Sequence, residues 1–345
     1  MKLDEVFNLK YPIIQAPMAG VQGSALTLAV SNAGGLGSLP CAMLTPDALG
    51  LELETLRAQT DKPYNVNFFC HSPAEPSAER EAVWRAALSP YFEEYGIDGD
   101  SIPSGPGRNP FNEESADILE VYKPAVVSFH FGLPSEALVN RVKSWGTKVL
   151  CSATCVDEAL WLESHGVDGI IAQGLEAGGH RGIFLTDDLT TQVGTFSLLP
   201  QVINAVNVPV IAAGGIADAR SVAAAMALGA AGVQIGTAYL LCPEVTTSAL
   251  HRGALKSDAA RHTALTNLFT GRPARGIVNR IITELGPISS QAPDFPLAVS
   301  ALAPLRAAAE SQGRDEFTPL WCGQNASGCK EIPAAELTEG LAAGL

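Results

Sequence analysis

The residues from Val208 to Thr237, VPVIAAGGIADARSVAAAMALGAAGVQIGT, hold one complete architectural unit and the start of the next. Val208–Ala213 is apolar without alternation, as expected of a strand covered on both faces. Gly214 and Gly215 break the run, Asp218 offers a side-chain oxygen to cap a helix, and Ala219–Leu228 carries small apolar residues at helical spacing. A second apolar run, Gly232–Ile235, follows at once and again ends in glycine, Gly236. Two strands joined by one crossover helix form a parallel unit.

Working outward from this unit toward the N-terminus, six more short β-rich runs appear, Pro12–Ala16, Leu36–Leu39, Tyr64–Phe69, Ala125–Phe129, Lys148–Ser152 and Gly169–Ala172, of which Val126–Phe129 and Gly169–Ala172 are likewise apolar rather than alternating. Helical stretches such as Ser24–Asn32 and Val156–Ser164 separate them. Eight strand–helix repeats predict a closed (β/α)8 barrel, an α/β fold, with residues 1–241 as its core. The segment between the third and fourth runs is too long for an ordinary connection. It reads as an inserted helix followed by a loop, Ser101 to Arg108, that reaches over the barrel mouth. Residues 242–345, interrupted by Pro287, Pro293, Pro296 and Pro304, read as the last barrel helix followed by a helical cap belonging to the same domain.

Composition narrows the functional classes. A chain with 47% hydrophobic and 17% charged residues suits a sheet buried under helices. The formal net charge of -14 argues against a nucleic-acid partner. No apolar run is long enough to span a membrane, and Met1-Lys2-Leu3-Asp4-Glu5 lacks the layout of a secretion signal, so a cytoplasmic location is expected. The seven cysteines show no C-x-x-C spacing and read as reduced, buried residues.

The chemistry is expected where the strands end. Glycines after the seventh and eighth runs, Gly214-Gly215 and Gly236-Thr237, stand where barrels bind phosphate, because backbone amides can approach the anion with no side chain in the way. A Rossmann fingerprint is poorly supported, since Gly35-Leu-Gly-Ser-Leu-Pro40 lacks the third glycine. After the sixth run, Gln173-Gly-Leu-Glu-Ala-Gly-Gly-His180 delivers an imidazole on flexible backbone beside the phosphate loops. His180 is therefore the first candidate for proton transfer, and His130, ending the fourth run, is the second. His71, His165, His251 and His262 read as surface or packing residues, and no histidine is spaced as a metal ligand. Ala16, Pro17 and Met18 leave room for a planar ring against backbone, and Asn67 offers an amide to its edge.

Taken together, Pro12-Ile-Ile-Gln-Ala-Pro-Met18, Ser31-Asn-Ala-Gly-Gly-Leu-Gly37, Asn65-Val-Asn67, Gln173 to His180 and Ala212-Ala-Gly-Gly-Ile216 resemble the nitronate monooxygenase family from about residue 10 to 285. Ser128-Phe-His-Phe-Gly-Leu-Pro134, Thr270-Gly-Arg-Pro-Ala-Arg275 and Leu320-Trp-Cys-Gly-Gln324 resemble its class I branch, while the other strings are shared with flavin-dependent enoyl reductases. The resemblance implies non-covalent FMN, with phosphate on Gly215, Gly236 and Thr237. Ala16, Pro17, Met18, Asn67, Ser152, Gln173, Gly178 and Gly179 would surround its ring and ribityl chain. It implies a small alkyl nitronate and O2 as reactants, with His180 as the family's active-site histidine and His130 orienting the nitro oxygens. No tyrosine follows Tyr239, and Phe295 and Trp321 are the aromatic residues offered in their place. The sequence leaves open a homodimer, an NAD(P)H-dependent quinone or enoyl reductase on the same scaffold, and a flavin-free barrel that binds a phosphorylated metabolite.

Overall fold

The computed structural model describes residues 3–103 and 108–345. Strands β1 (Ile13–Gln15), β2 (Gly37–Pro40), β3 (Tyr64–Phe69), β4 (Val126–His130), β5 (Lys148–Ala153) and β6 (Gly169–Gln173) come first. A two-residue strand, β7 (Gly179–His180), follows, and then β8 (Val210–Ala213) and β9 (Gly232–Ile235). All except β7 lie in one parallel sheet, ordered β1-β9-β8-β6-β5-β4-β3-β2. The two ends meet through a parallel bridge between Ile14 and Leu36, supported by Gln15 N–H to Leu36 O at 3.0 Å and Leu36 N–H to Ile13 O at 2.8 Å. The predicted barrel is thus observed.

Every residue of β3, β6 and β8 is buried, which accounts for the apolar runs Gly169–Ala172 and Val210–Ala213, while β3 buries two polar residues, Asn65 and Asn67, among its apolar ones. Strand ends differ from the sequence expectation by a residue or two. Pro12 and Pro209 fall outside, neither having an N–H for the ladder, and Val208 gives its N–H to Glu163 Oε1 at 3.2 Å.

The cap has two sources. The inserted helix Ala78–Tyr95 buries Trp84, Leu88, Tyr91 and Phe92 against Ala298, Ala301, Leu302 and Leu305 of the Ala298–Ser311 helix, forming a second core above the barrel. Trp84 Nε1–H donates to Ala298 O at 3.2 Å. The loop expected over the mouth enters the described residues only at its ends, since residues 104–107 lie outside them.

Two expectations need correction. The cap is not wholly helical: β10 (Thr263–Thr266) and β11 (Ala274–Ile277) form an antiparallel pair, and β11 also pairs with β7. The last barrel helix does not follow β9 directly. The helix Ala334–Ala342 fills that place, with Ala334, Leu337 and Leu341 buried in the barrel cluster beside Leu26, Val30 and Val222. Its Thr338 meets the Tyr239 hydroxyl at 2.9 Å. The cap is therefore inserted between the eighth barrel strand and its helix.

Candidate active site

Cap and barrel enclose a cavity of about 330 Å³ at the C-terminal ends of the strands. Its floor and sides are built from residues that the glycine turns leave bare. Gly214 and Gly215 after β8 have φ values of +115° and +72°, a backbone that favours glycine. Asp218 caps the following helix, accepting from Ser221 N–H at 2.8 Å. The helix N-terminus therefore faces the loop with its positive dipole end. On the neighbouring strand, Gly236 lines the cavity with bare backbone, and a Cβ there would stand 3.3 Å from the Ala16 Cβ and 3.8 Å from Met18 Sδ, crowding the turn after β1.

The cap reaches these loops directly. Gly323 N–H donates to Thr237 Oγ1 at 2.9 Å, and the Asn325 amide donates to Gly215 O at 3.1 Å. A Cβ on Gly178 would lie 2.5 Å from Gly323 N, so only glycine admits this crossing. Glu176 also lines the cavity, but its carboxylate accepts from Thr195 N–H and Oγ1–H, both at 2.8 Å, and caps the Thr195–Ala205 helix. On the wall, Gln234 Oε1 is buried with no partner within the protein, an acceptor open to a donor from a bound molecule.

His180 enters from β7, held by pairing of Gly179 with Arg275 and of His180 with Ala274. The flexible loop expected from the sequence is therefore a pinned strand. The His180 carbonyl accepts from Gln173 Nε2–H at 3.0 Å and from His130 Nε2–H at 3.1 Å. Gln173 Oε1 in turn accepts from Gly182 N–H at 2.7 Å. Buried Glu158 clamps the next turn by accepting from Phe184 N–H at 2.6 Å.

On the ring itself, Nε2 meets Thr270 Oγ1 at 2.9 Å, and that hydroxyl donates to Arg272 O at 3.3 Å. This network assigns the proton to Nε2 and leaves Nδ1 as the basic nitrogen. The rings of Phe131, Phe295 and Trp321 surround the imidazole at centroid distances of 5.9, 5.5 and 5.5 Å. Desolvation, with Arg108, His130 and Arg272 nearby, holds His180 well below the ordinary histidine range. It is a neutral imidazole at pH 7.

His130 is used differently from the sequence expectation. Its Nδ1 faces Ser152 Oγ at 3.1 Å while Nε2 donates to His180 O, so neither nitrogen is left for a nitro group. Burial pushes its pKa down to about 4. Asn67 spends its amide N–H groups on Ser128 O and Oγ, at 3.1 and 2.9 Å, which leaves its carbonyl oxygen as the free group.

A model of the nitronate monooxygenase family matches residues 1–344. The chain belongs to the nitronate monooxygenase family. It is similar to a nitronate monooxygenase of Paraburkholderia phytofirmans, 44% identical over 343 residues, covering 97% of this chain and 92% of that one. Among solved structures it resembles the nitroalkane oxidase of Streptomyces ansochromogenes, with a TM-score of 0.89 and 37% identity over 99% of this chain and 97% of that chain. It also resembles FabK of Thermotoga maritima, with a TM-score of 0.72 and 29% identity over 98% and 94%. The chain is thus an oxidoreductase, and the nitronate monooxygenase family is one of flavin enzymes.

Within this family frame, all thirteen residues singled out in the sequence line the cavity. Ala16, Pro17, Met18, Asn67, Ser152 and Gln173 come from the ends of barrel strands, Gly215, Gly236 and Thr237 from the two glycine turns, and Gly178, Gly179 and His180 from β7 and its approach. His130 closes the set at the end of β4. Trp321 lines the cavity as well, and Phe295 lies behind His180. Sequence reasoning missed Thr270, which fixes the His180 ring, and Arg108, which lines the outer wall. The only signal for Thr270 was its place in a family string, far along the chain from His180. His71, expected at the surface or in packing, is buried against Phe295 at 4.8 Å and bonds to Arg108 O at 2.9 Å.

Among the described residues no helix is long and apolar enough to cross a membrane. The seven cysteines are free.

Proposed function

We propose that the chain oxidises alkyl nitronates such as propionate 3-nitronate with O2, using FMN and yielding a carbonyl compound with nitrite or nitrate. One observation carries the reading: a neutral imidazole with a free Nδ1 and a pair of bare glycine turns face the same cavity. The fit to FMN rests on the bare backbone that Gly236 presents to the cavity, the left-handed backbone at Gly215 and the unsatisfied acceptor of Gln234.

Gly215, Gly236 and Thr237 would take the phosphate. Ala16, Pro17, Met18, Asn67, Gly178 and Gly179 would border the ring and ribityl chain, with Ser152 and Gln173 behind them. When bound, flavin supplies the two-electron acceptor and the reactivity toward O2. His180 hydrogen-bonds the nitro group, and its Nδ1 takes the α-proton when the neutral nitroalkane is the form that arrives. His130 and Gln173 are positioning residues that hold the His180 backbone. The aromatic wall excludes water and keeps the imidazole uncharged.

The test is anaerobic mixing of the purified protein with propionate 3-nitronate. Yellow protein with one FMN per chain and rapid flavin bleaching is expected, and oxidised flavin that persists would overturn the reading. The motif strings shared with enoyl reductases motivate a second reading, reduction by NADH or NADPH. Slow reduction by both nucleotides is expected, while fast, saturable reduction by either would shift the assignment.

A further inference from the structure

We propose that Arg108 is a specificity residue, which selects nitronates carrying a second anionic group, a carboxylate, at the end away from the nitro group. The proposal rests on the nitronate reading of the site. Arg108 lines the cavity and is half-buried, with its guanidinium carbon 5.6 Å from the Phe295 ring centroid. Among the described residues it forms no ion pair, whereas Arg306, the other arginine on the cavity wall, is held by Glu310 at 2.7 Å. Arg141 and Arg280 each gather three carboxylates on the surface. Arg181, Arg252, Arg272 and Arg275 also lack ion pairs, but each is tied to backbone carbonyls, so among the described residues Arg108 is the cavity guanidinium with neither anchor, in a chain with 36 acidic side chains against 22 Lys and Arg.

A guanidinium stripped of water and left without a counter-charge is unfavourable. A ligand carboxylate removes that penalty and matches the planar fork with two hydrogen bonds. Nor is the residue loosely placed. His71 donates from Nε2 to its carbonyl, and the His71 ring is packed edge-on against Phe131 and Phe295. Phe295 is shared, since its centroid lies 5.5 Å from that of His180 and 5.6 Å from the Arg108 guanidinium. Both groups thus border one ring in the same cavity, and in the proposed complex a short chain with an anionic group at each end bridges them. In the reading above His180 takes the nitro end, which leaves the guanidinium for the other.

The holoenzyme tests this with two substrates of equal chain length, propionate 3-nitronate and the nitronate of 1-nitropropane, in which methyl replaces the carboxylate. The parent should prefer the first, and added salt should weaken the preference. Arg108→Gln should lower the ratio of the two kcat/KM values about 10- to 100-fold, and Arg108→Lys should lower it less. Succinate, which has carboxylates but no oxidisable nitro carbon, should bind the parent by calorimetry and bind Arg108→Gln more weakly. A parent without preference, a ratio that the Gln variant leaves unmoved, or equal succinate binding overturns the proposal. The parent's own preference decides the matter should the variant misfold. If neither nitronate is oxidised, the nitronate reading fails by itself, and succinate binding still judges Arg108.

Discussion

At the residue scale, the site divides into groups that touch a ligand and groups that hold those groups still. His180→Asn should retain FMN, because the phosphate loops belong to β8 and β9, yet lose turnover of neutral nitroalkanes about 100- to 10,000-fold. A preformed nitronate needs no deprotonation and should suffer less, so comparing steady-state rates for the two forms checks the role. Equal rates to the parent with both forms would reduce His180 to a structural residue. Gly236→Asp should give colourless protein, because its carboxylate would stand where phosphate is held, and the absorbance ratio of flavin to protein reads this directly. Position 236 is cleaner for this test than Gly215, whose φ of +72° would strain any side chain. Glycines and the histidine were legible because a turn after an apolar run places them at the strand ends whatever the rest of the chain does. Thr270 and Arg108 were not, since each reaches the cavity from a segment that carries no periodic signal, and only the pairing of β11 with β7 and the His71 contact bring them there.

At the element scale, the eight barrel strands could be read as short β-rich runs recurring between helical stretches, several of them apolar without alternation because both faces are buried. The β10–β11 pair could not, because Thr263–Thr266 and Ala274–Ile277 are short and joined by a connection without a two-residue hairpin signature. The inserted Ala78–Tyr95 helix was expected, but its partner was not, because helix-to-helix packing between residues 84 and 302 leaves no trace in local spacing. Trp84 is the centre of that contact and fully buried. Trp84→Ala should destabilise the cap by about 3–5 kcal/mol. Limited proteolysis should then cut first within residues 78–103 or 280–315 while flavin stays bound. Cleavage in the barrel at the same rate would show that cap and barrel unfold together.

At the scale of the whole molecule, acid should be the weak side of the stability curve. His130 and His251 both have folded pKa values pushed down to about 4 by burial, below the ordinary 6.5. The unfolded chain thus binds more protons between about pH 6.5 and 4, and stability falls as pH drops through that window. At pH 5 each histidine costs about 2 kcal/mol relative to neutral pH. Thermal melting should accordingly show a lower Tm at pH 5 than at pH 7.5, and a Tm that rises on acidification would contradict the assigned burial. The order of the last elements has a different consequence, one of manufacture. Since Ala334–Ala342 packs beside the Ser24–Ala33 helix, the first and last parts of the barrel are sealed only once residues 334–342 have left the ribosome. A nascent chain carries every active-site residue while its wall is still open, and a chain broken off before residue 334 is a barrel with a missing stave.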